Sequence, residues 1–216
     1  MSDAPLVEIG GMSRREALRA AALMLLGGAP LEVAFAQHVH EQAQQDRESQ
    51  GGSYQPKLFN AHEYGTVTRL AELIVPAEGG NGSAVDAGAP EFIDLLCSQN
   101  ERLAEIYTGG LLWLDRRMRS EHSVDFLGAG ESRQIAMLDA LVAAERAADP
   151  DGEENKPAGE LAPGVQFFDW IRRMTVDAYY TSPIGMKDIG YTGNTALTTY
   201  TVPQEAIAYV MKRKPA

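Results

Sequence analysis

The side chains that could carry out chemistry in this chain are few and lie far apart in the sequence. None of the four histidines belongs to a recognisable metal-binding motif. We expect His38 and His40 to lie in a flexible arm, and His62 and His122 to be exposed to solvent. The chain has no Cys-x-x-Cys-His haem-attachment motif and no set of cysteines for an iron–sulfur cluster. The sequence therefore indicates no catalytic, cofactor-binding or metal-binding residue in this chain.

A glycine-rich stretch covers residues 79–82, with the sequence Gly-Gly-Asn-Gly. It follows no predicted strand and carries no lysine that could contact a phosphate, so it is not typical of a nucleotide-binding loop. We expect a flexible surface loop at this position.

The single cysteine, Cys97, has two interpretations. An unpaired cysteine in an exported protein could form a disulfide with another chain, which makes Cys97 a candidate intersubunit thiol. Its apolar neighbours Leu95 and Leu96 favour instead a small buried side chain. We expect burial.

A segment rich in tyrosine, glycine, serine and threonine runs from residue 179 to 194 and carries few charges. Tyrosine provides a large contact area with a polar tip, and glycine lets two backbones approach closely. We expect a long loop that either lies against another protein or folds back over its own helices, with the tyrosines sealing the core. The candidate partner-binding residues are Tyr179, Tyr180, Ser182, Pro183, Gly185, Tyr191, Gly193 and Asn194.

The N-terminal residues 1–36 resemble an export signal. Arg14 and Arg15 precede Leu18 and a short apolar run, and Ala34-Phe35-Ala36 ends it as a small-x-small cleavage site. An arginine pair in this position is the address of the twin-arginine route. We expect export of the folded protein by the twin-arginine machinery, cleavage after Ala36 and a periplasmic location.

Two other interpretations of the leader are less favoured. It could be an amphipathic helix of the folded domain, but Gly27-Gly28 and Pro30 would end such a helix early. A transmembrane anchor needs about 20 consecutive apolar residues, and this run is much shorter.

The chain is acidic, with 19 Lys and Arg against 30 Asp and Glu and a net charge of −11. A strongly negative protein repels phosphate backbones, so we expect no nucleic-acid partner.

The rest of the chain divides into a flexible arm at 37–57, which is rich in Gln, Glu, Ser and Gly, and a helical domain at 58–216. Apolar residues recur three and four apart in that domain, and no stretch alternates as a strand would. The pattern predicts an all-α single domain of about five or six helices with long loops. Helices are expected from Asn60 to Pro76, from Pro90, around 103–118, from Glu131, from Val165 to before Pro183, and over 203–211, with an acidic surface loop at 149–164.

The order of several short segments resembles the gluconate 2-dehydrogenase subunit 3 family, the small (gamma) subunit of flavin-dependent sugar and sugar-acid dehydrogenases. The resemblance runs from about residue 58 to 210. Its segments are Leu70-Ala71-Glu72-Leu73-Ile74-Val75-Pro76, Gly88-Ala89-Pro90-Glu91-Phe92-Ile93-Asp94, Gly109-Gly110-Leu111 with Leu114, Phe167-Phe168, Tyr179-Tyr180-Thr181-Ser182-Pro183 and Gly190-Tyr191-Thr192-Gly193-Asn194.

The resemblance implies a non-catalytic subunit without flavin or haem of its own. In such complexes the large subunit holds FAD and oxidises a sugar or sugar acid, and a multihaem cytochrome c subunit passes the electrons to the inner membrane. The small subunit binds the flavoprotein and escorts it through twin-arginine export. The alternative hypothesis is an independent periplasmic enzyme or ligand-binding protein with an unrecognised cofactor.

Overall fold

The computed structural model describes residues 30–148, 159–191, 202 and 204–212. Within those residues the fold is a single all-α domain with no strand, as the hydrophobic periodicity predicts. None of the described helices is both long and apolar enough to cross a lipid bilayer. The helices are α1 (Pro30–Ser49), α2 (Ala61–Ile74), α3 (Ala89–Gln99), α4 (Glu101–His122), α5 (Glu131–Ala148), α6 (Ala162–Tyr180), α7 (Pro183–Asp188) and α8 (Gln204–Lys212).

Helix α2 begins with a capping box formed by Asn60 and Glu63. The side chain of Asn60 accepts hydrogen bonds from the backbone N–H groups of His62 and Glu63, both at 3.0 Å, and Glu63 accepts one from Asn60 N at 3.0 Å. Backbone N–H groups that have no partner within the helix are thereby hydrogen-bonded, which fixes where the helix starts. The helix ends at Ile74, just ahead of Pro76.

Helix α6 forms the centre of the domain and packs against α2, α3, α4, α5 and α7. Its approach to α4 depends on two glycines. A β-carbon on Gly110 of α4 would lie 2.2 Å from the ring of Phe167, and one on Gly164 of α6 would lie 2.1 Å from the ring of Trp113. Each helix therefore offers a gap that an aromatic ring of the other fills.

A bidentate ion pair connects helix α5 to α6. The guanidinium of Arg172 donates to both carboxylate oxygens of Glu145 at 2.8 Å. This hydrogen-bonded contact lowers the pKa of Glu145 below its usual range.

The expectation of an extended or disordered arm after residue 36 is wrong, because residues 30–49 form α1. Ala36, Val39 and Ala43 lie on one face of this helix and are buried. That face packs on α3 and α6. Two of these three side chains are alanines, which contribute little to a hydrophobic pattern in the sequence. The predicted boundary between leader and arm falls inside α1.

The expectation of a long loop at 179–194 is also wrong for the first part of that segment. Tyr179 and Tyr180 are the last two residues of α6, and the short helix α7 follows after two residues. The hydroxyl of Ser182 caps α7 by accepting from Gly185 N at 3.1 Å, and Pro183 suits its first turn. Serine, threonine and glycine are common both in loops and at helix caps, so the composition of this segment did not distinguish a capped short helix from a loop.

The remaining boundaries differ little from the predictions. Helix α6 begins at Ala162, three residues before the predicted start, and α8 covers nearly all of the predicted last helix. Most of the predicted acidic loop at 149–164 lies outside the described residues. Four large apolar side chains are exposed toward the C-terminal end: Val202, Ile207, Tyr209 and Met211.

A candidate docking cleft

A surface cleft of about 350 Å³ lies where α1, the turn before α3 and the start of α7 meet. Each of these three elements contributes one wall. Apolar and polar side chains share the lining, which suits a site that binds a ligand or a side chain of another protein. The lining residues are His40, Ala43, Gln44, Arg47, Glu48, Asp86, Ala87, Gly88, Glu91, Ser182, Pro183 and Ile184.

An ion pair between α1 and α3 lies at the cleft. The guanidinium of Arg47 donates to Oε1 of Glu91. The side chain of Glu91 is only 9% exposed, whereas that of Arg47 is 48% exposed. Among the described residues nothing donates a hydrogen bond to the second carboxylate oxygen, Oε2 of Glu91, although that atom is buried. Oxygen atoms buried in this state are uncommon in folded proteins.

The chain turns sharply just before Glu91, and that turn fixes the position of its carboxylate. Gly88 adopts a left-handed conformation with φ 79° as the N-cap of α3, and Pro90 occupies the first turn. Glu91 follows in the same turn, where the positive end of the helix dipole stabilises a carboxylate.

The loop ahead of this turn is ordered by a second carboxylate of the cleft. Oδ2 of Asp86 accepts hydrogen bonds from the backbone N–H of Ser83 at 2.7 Å and from its hydroxyl at 2.9 Å. Asp86 itself is exposed.

His40 forms part of the α1 wall and is half-buried, contrary to the expectation of an exposed arm. Its Nε2 lies within hydrogen-bond distance of the Thr181 hydroxyl, at 3.1 Å, and its ring centre lies 4.8 Å from that of Phe92. Burial lowers the pKa of His40, and a hydrogen bond with the backbone of Ala178 opposes this effect. Burial therefore disfavours the charged form of the imidazole, and Arg47 is the only lysine or arginine among the described residues that line the cleft.

Comparison with known proteins assigns the chain to a family. The family model described as "Gluconate 2-dehydrogenase subunit 3" matches residues 61–198, well over half of the chain. This protein belongs to the gluconate 2-dehydrogenase subunit 3 family. No curated protein matches the chain, and no solved structure does.

The family match covers two of the three cleft walls of this subunit 3 protein. It begins at the first residue of α2 and includes the turn before α3 and helix α7, and it leaves α1 outside. The segments 88–94 and 179–183, two of the six on which the resemblance rests, are distant in the sequence and both contribute residues to this cleft. Their meeting could not be read from either segment alone.

The predicted partner-binding residues divide between the cleft and the core. Ser182 and Pro183 line the cleft, although only Pro183 is exposed. Tyr179 and Tyr180 are 0% and 3% exposed, so their side chains seal the core as the second interpretation has it and present no surface to a partner. The hydroxyl of Tyr179 donates to the backbone oxygen of Gly82 at 3.1 Å.

Other predicted residues lie elsewhere. Gly185 is buried against the end of α6, where a β-carbon would lie 2.0 Å from the Tyr179 carbonyl oxygen. Tyr191 is 38% exposed and lies outside the cleft lining. Ala34 and Ala36 belong to α1, and Ala36 is buried. Outside the described residues lie Arg14, Arg15, Leu18, Gly193 and Asn194.

The predicted burial of Cys97 is confirmed, since its side chain is 1% exposed. Burial raises the pKa of its thiol to about 12, and the nearby Asp94 carboxylate adds to this shift. A thiol that is both inaccessible and protonated cannot form an intersubunit disulfide in this fold.

Sequence reasoning missed two buried, hydrogen-bonded carboxylates, those of Asp94 and Asp115. Asp94 is fully buried, and Asp115 accepts from Phe126 N at 3.1 Å and contacts His62 Nε2 at 2.6 Å. The available signal for Asp94 was a charged residue placed within the apolar stretch of α3. No group of three or more His, Cys, Asp or Glu in the described part of the chain has the geometry of a metal site.

Proposed function

We propose that this protein is the non-catalytic small (gamma) subunit of a periplasmic FAD-dependent dehydrogenase that oxidises a sugar, sugar acid or polyol. It binds, stabilises and escorts the flavoprotein subunit. In this proposal FAD belongs to the flavoprotein and haem c to a cytochrome subunit, through which the complex associates with the inner membrane. Membership of a family described as a dehydrogenase subunit supports this assignment.

The observation that carries the proposal is the meeting of two resemblance segments at one solvent-facing cleft. The turn at 88–91 and the start of α7 are far apart in the sequence and line the same cleft. Core packing does not require both segments to reach the surface at the same place. A surface that binds another protein accounts for that arrangement.

Escort through the twin-arginine route is supported by the leader, in which Arg14 and Arg15 precede an apolar run. A double variant, Arg14→Lys with Arg15→Lys, keeps the positive charge and removes the arginine pair. We expect this subunit and the co-expressed flavoprotein both to stay in the cytoplasm, as measured by fractionation and dehydrogenase activity. Arg19→Lys, in the same leader, is the matched control and should export normally. Dehydrogenase activity in the periplasm of the double variant would contradict the escort role.

An independent ligand-binding function is the second candidate, because the volume of the cleft falls at the lower end of the range for small-molecule sites. An absorption spectrum and metal analysis of the purified protein distinguish the two. Bound flavin or stoichiometric metal in this chain would favour the second candidate over the first.

A further inference from the structure

We propose that the cleft binds one lysine or arginine side chain of the flavoprotein subunit, whose cationic group donates a hydrogen bond to Oε2 of Glu91. This inference rests on the proposed function and names the contact by which the two subunits recognise each other.

The first argument is the carboxylate itself. The Glu91 side chain is only 9% exposed, and its Oε1 pairs with Arg47. Its Oε2 is buried without a hydrogen-bond donor among the described residues. A buried carboxylate oxygen left in this state is costly. An incoming donor that reaches Oε2 through a small rotation of the Glu91 side chain therefore gains a contact that nothing within the described chain supplies.

The second argument is the charge of the lining. Glu48 and Asp86 contribute carboxylates to the same cleft, whereas Arg47 is the only lysine or arginine among its described lining residues and is already paired. Burial lowers the pKa of His40 and so disfavours a charge on its imidazole. Three carboxylates therefore face one guanidinium, and this excess negative charge favours a cation over a neutral or acidic group.

The third argument is the shape and polarity of the walls. The cleft measures about 350 Å³, which limits the occupant to a small group. Ala43, Ala87 and Ile184 provide apolar surface on three sides. Lysine and arginine combine an apolar stem with a cationic tip, so one such side chain can contact both the apolar walls and Glu91.

The charge of the whole chain favours another protein as the source of that cation. At −11, this subunit attracts a basic surface. The proposed cation site lies where the segments 88–94 and 179–183, both within the family match, line the same cleft. A basic side chain projecting from the flavoprotein subunit satisfies all of these features together.

Two variants that remove the same ion pair separate recognition from folding. Both Glu91→Gln and Arg47→Gln remove the Arg47–Glu91 ion pair, so weaker binding that merely reflects a loosened α1 should appear in both. They change the cleft in opposite ways, because the first removes a negative charge and the second leaves the carboxylate without its internal partner. The dissociation constant of the complex with the co-expressed flavoprotein is measured for each at low and high salt.

We expect Glu91→Gln to weaken binding at least about tenfold and to reduce the salt dependence, with Arg47→Gln binding as tightly as the unmodified subunit or more tightly. Glu48→Gln, at an exposed residue of the cleft, should weaken binding by about twofold to threefold and should not disturb the fold. Glu131→Gln is the control, since its side chain is 68% exposed and contacts Arg69 away from the cleft. Equal weakening by Glu91→Gln and Arg47→Gln, or an unchanged Glu91→Gln, would overturn the inference and leave the proposed function intact.

A second measurement needs no flavoprotein. Lysinamide, with norleucinamide as its neutral comparison, is titrated into the isolated subunit and followed by NMR. Shifts of resonances around the cleft with lysinamide alone, absent in Glu91→Gln, support a cation site. Identical shifts with both amides overturn it. If the unmodified subunit binds no flavoprotein at all, the proposed function fails and the partner side chain is excluded with it.

Discussion

Asp94 connects the start of the domain to its core. Its two carboxylate oxygens accept hydrogen bonds from the Tyr54 hydroxyl at 2.9 Å and from the backbone N–H groups of Lys57, Leu58 and Phe59 at 2.7, 3.1 and 3.0 Å. Four donors on one carboxylate satisfy a buried charge and hold the chain ahead of α2 against α3.

Asp94→Asn should destabilise the protein by about 2–4 kcal/mol, because an amide nitrogen would face backbone donors in place of an oxygen. Urea unfolding followed by circular dichroism measures the change. The control is Asp139→Asn, at an exposed position on α5, which should change the free energy of unfolding by less than about 0.5 kcal/mol. Similar losses in both variants would mean that Asp94 has no special structural role.

His40 should make stability depend on pH. Its folded pKa lies below the reference value of 6.5, so the unfolded chain binds more protons in the window between the two values. The free energy of unfolding should therefore fall as the pH drops below about 6.5. His40→Gln should reduce that dependence, and His38→Gln, at an exposed position on the same helix, should leave it unchanged. Denaturant midpoints between pH 5 and 7 provide the measurement, and parallel curves for all three proteins would contradict this role of His40.

Local signals could be predicted at the residue scale, and long-range contacts could not. The Asn60 capping box and the burial of Cys97 follow from neighbours within a few positions. Arg47 and Glu91 are 44 residues apart, and nothing near either residue indicates the other. Of the residues that line the cleft, the sequence therefore indicated only Ser182 and Pro183 as partner-binding candidates, and none of the α1 residues that complete it.

At the scale of helices, α4 and α6 meet through a contact that admits no extra atom. The ring of Phe167 lies against Gly110 and makes an edge-to-face contact with Tyr107, with ring centres 5.8 Å apart. The neighbouring residue, Gly109, has no atom of another residue within 4 Å of a β-carbon placed on it. These adjacent glycines therefore have different roles.

Gly110→Ala should destabilise the protein by about 1–3 kcal/mol, because Phe167 would have to leave its position. Gly109→Ala should stabilise it by about 0.5–1 kcal/mol, because alanine loses less backbone entropy in a helix. Thermal unfolding of the two variants tests the contact. Effects of the same sign would show that helix propensity, rather than packing, decides both.

Helices with a broad face of large apolar side chains were predictable, and those without were not. Helices α2 to α6 each carry large apolar side chains three and four apart. Among the described side chains of α1 the buried apolar ones are two alanines and one valine, and α7 is a six-residue helix beside Tyr179. In both cases tertiary packing determines the helix, and intrinsic preference contributes little.

At the scale of the whole molecule, Cys97 reports on global unfolding. Its thiol is 1% exposed and its pKa is raised to about 12 by burial, so a thiol reagent can reach it only when the core opens. We expect negligible labelling by Ellman's reagent under native conditions and complete labelling in denaturant. Rapid labelling of the native protein would place the thiol at the surface and restore the intersubunit disulfide as an option.

Cleavage at the predicted site after Ala36 would change helix α1 as well as remove the leader. That site falls within the helix, so the peptide around Ala36 would have to unwind before a peptidase could reach it. Such cleavage would put a new ammonium group at Gln37, on the positive end of the shortened helix, where a positive charge is unfavourable. The remaining residues up to Ser49 are too few to stay helical alone, so their order depends on Val39, Ala43 and the Arg47–Glu91 pair. The precursor and the mature protein would thus differ in how firmly this wall of the cleft is held, and a partner bound before cleavage would preserve it.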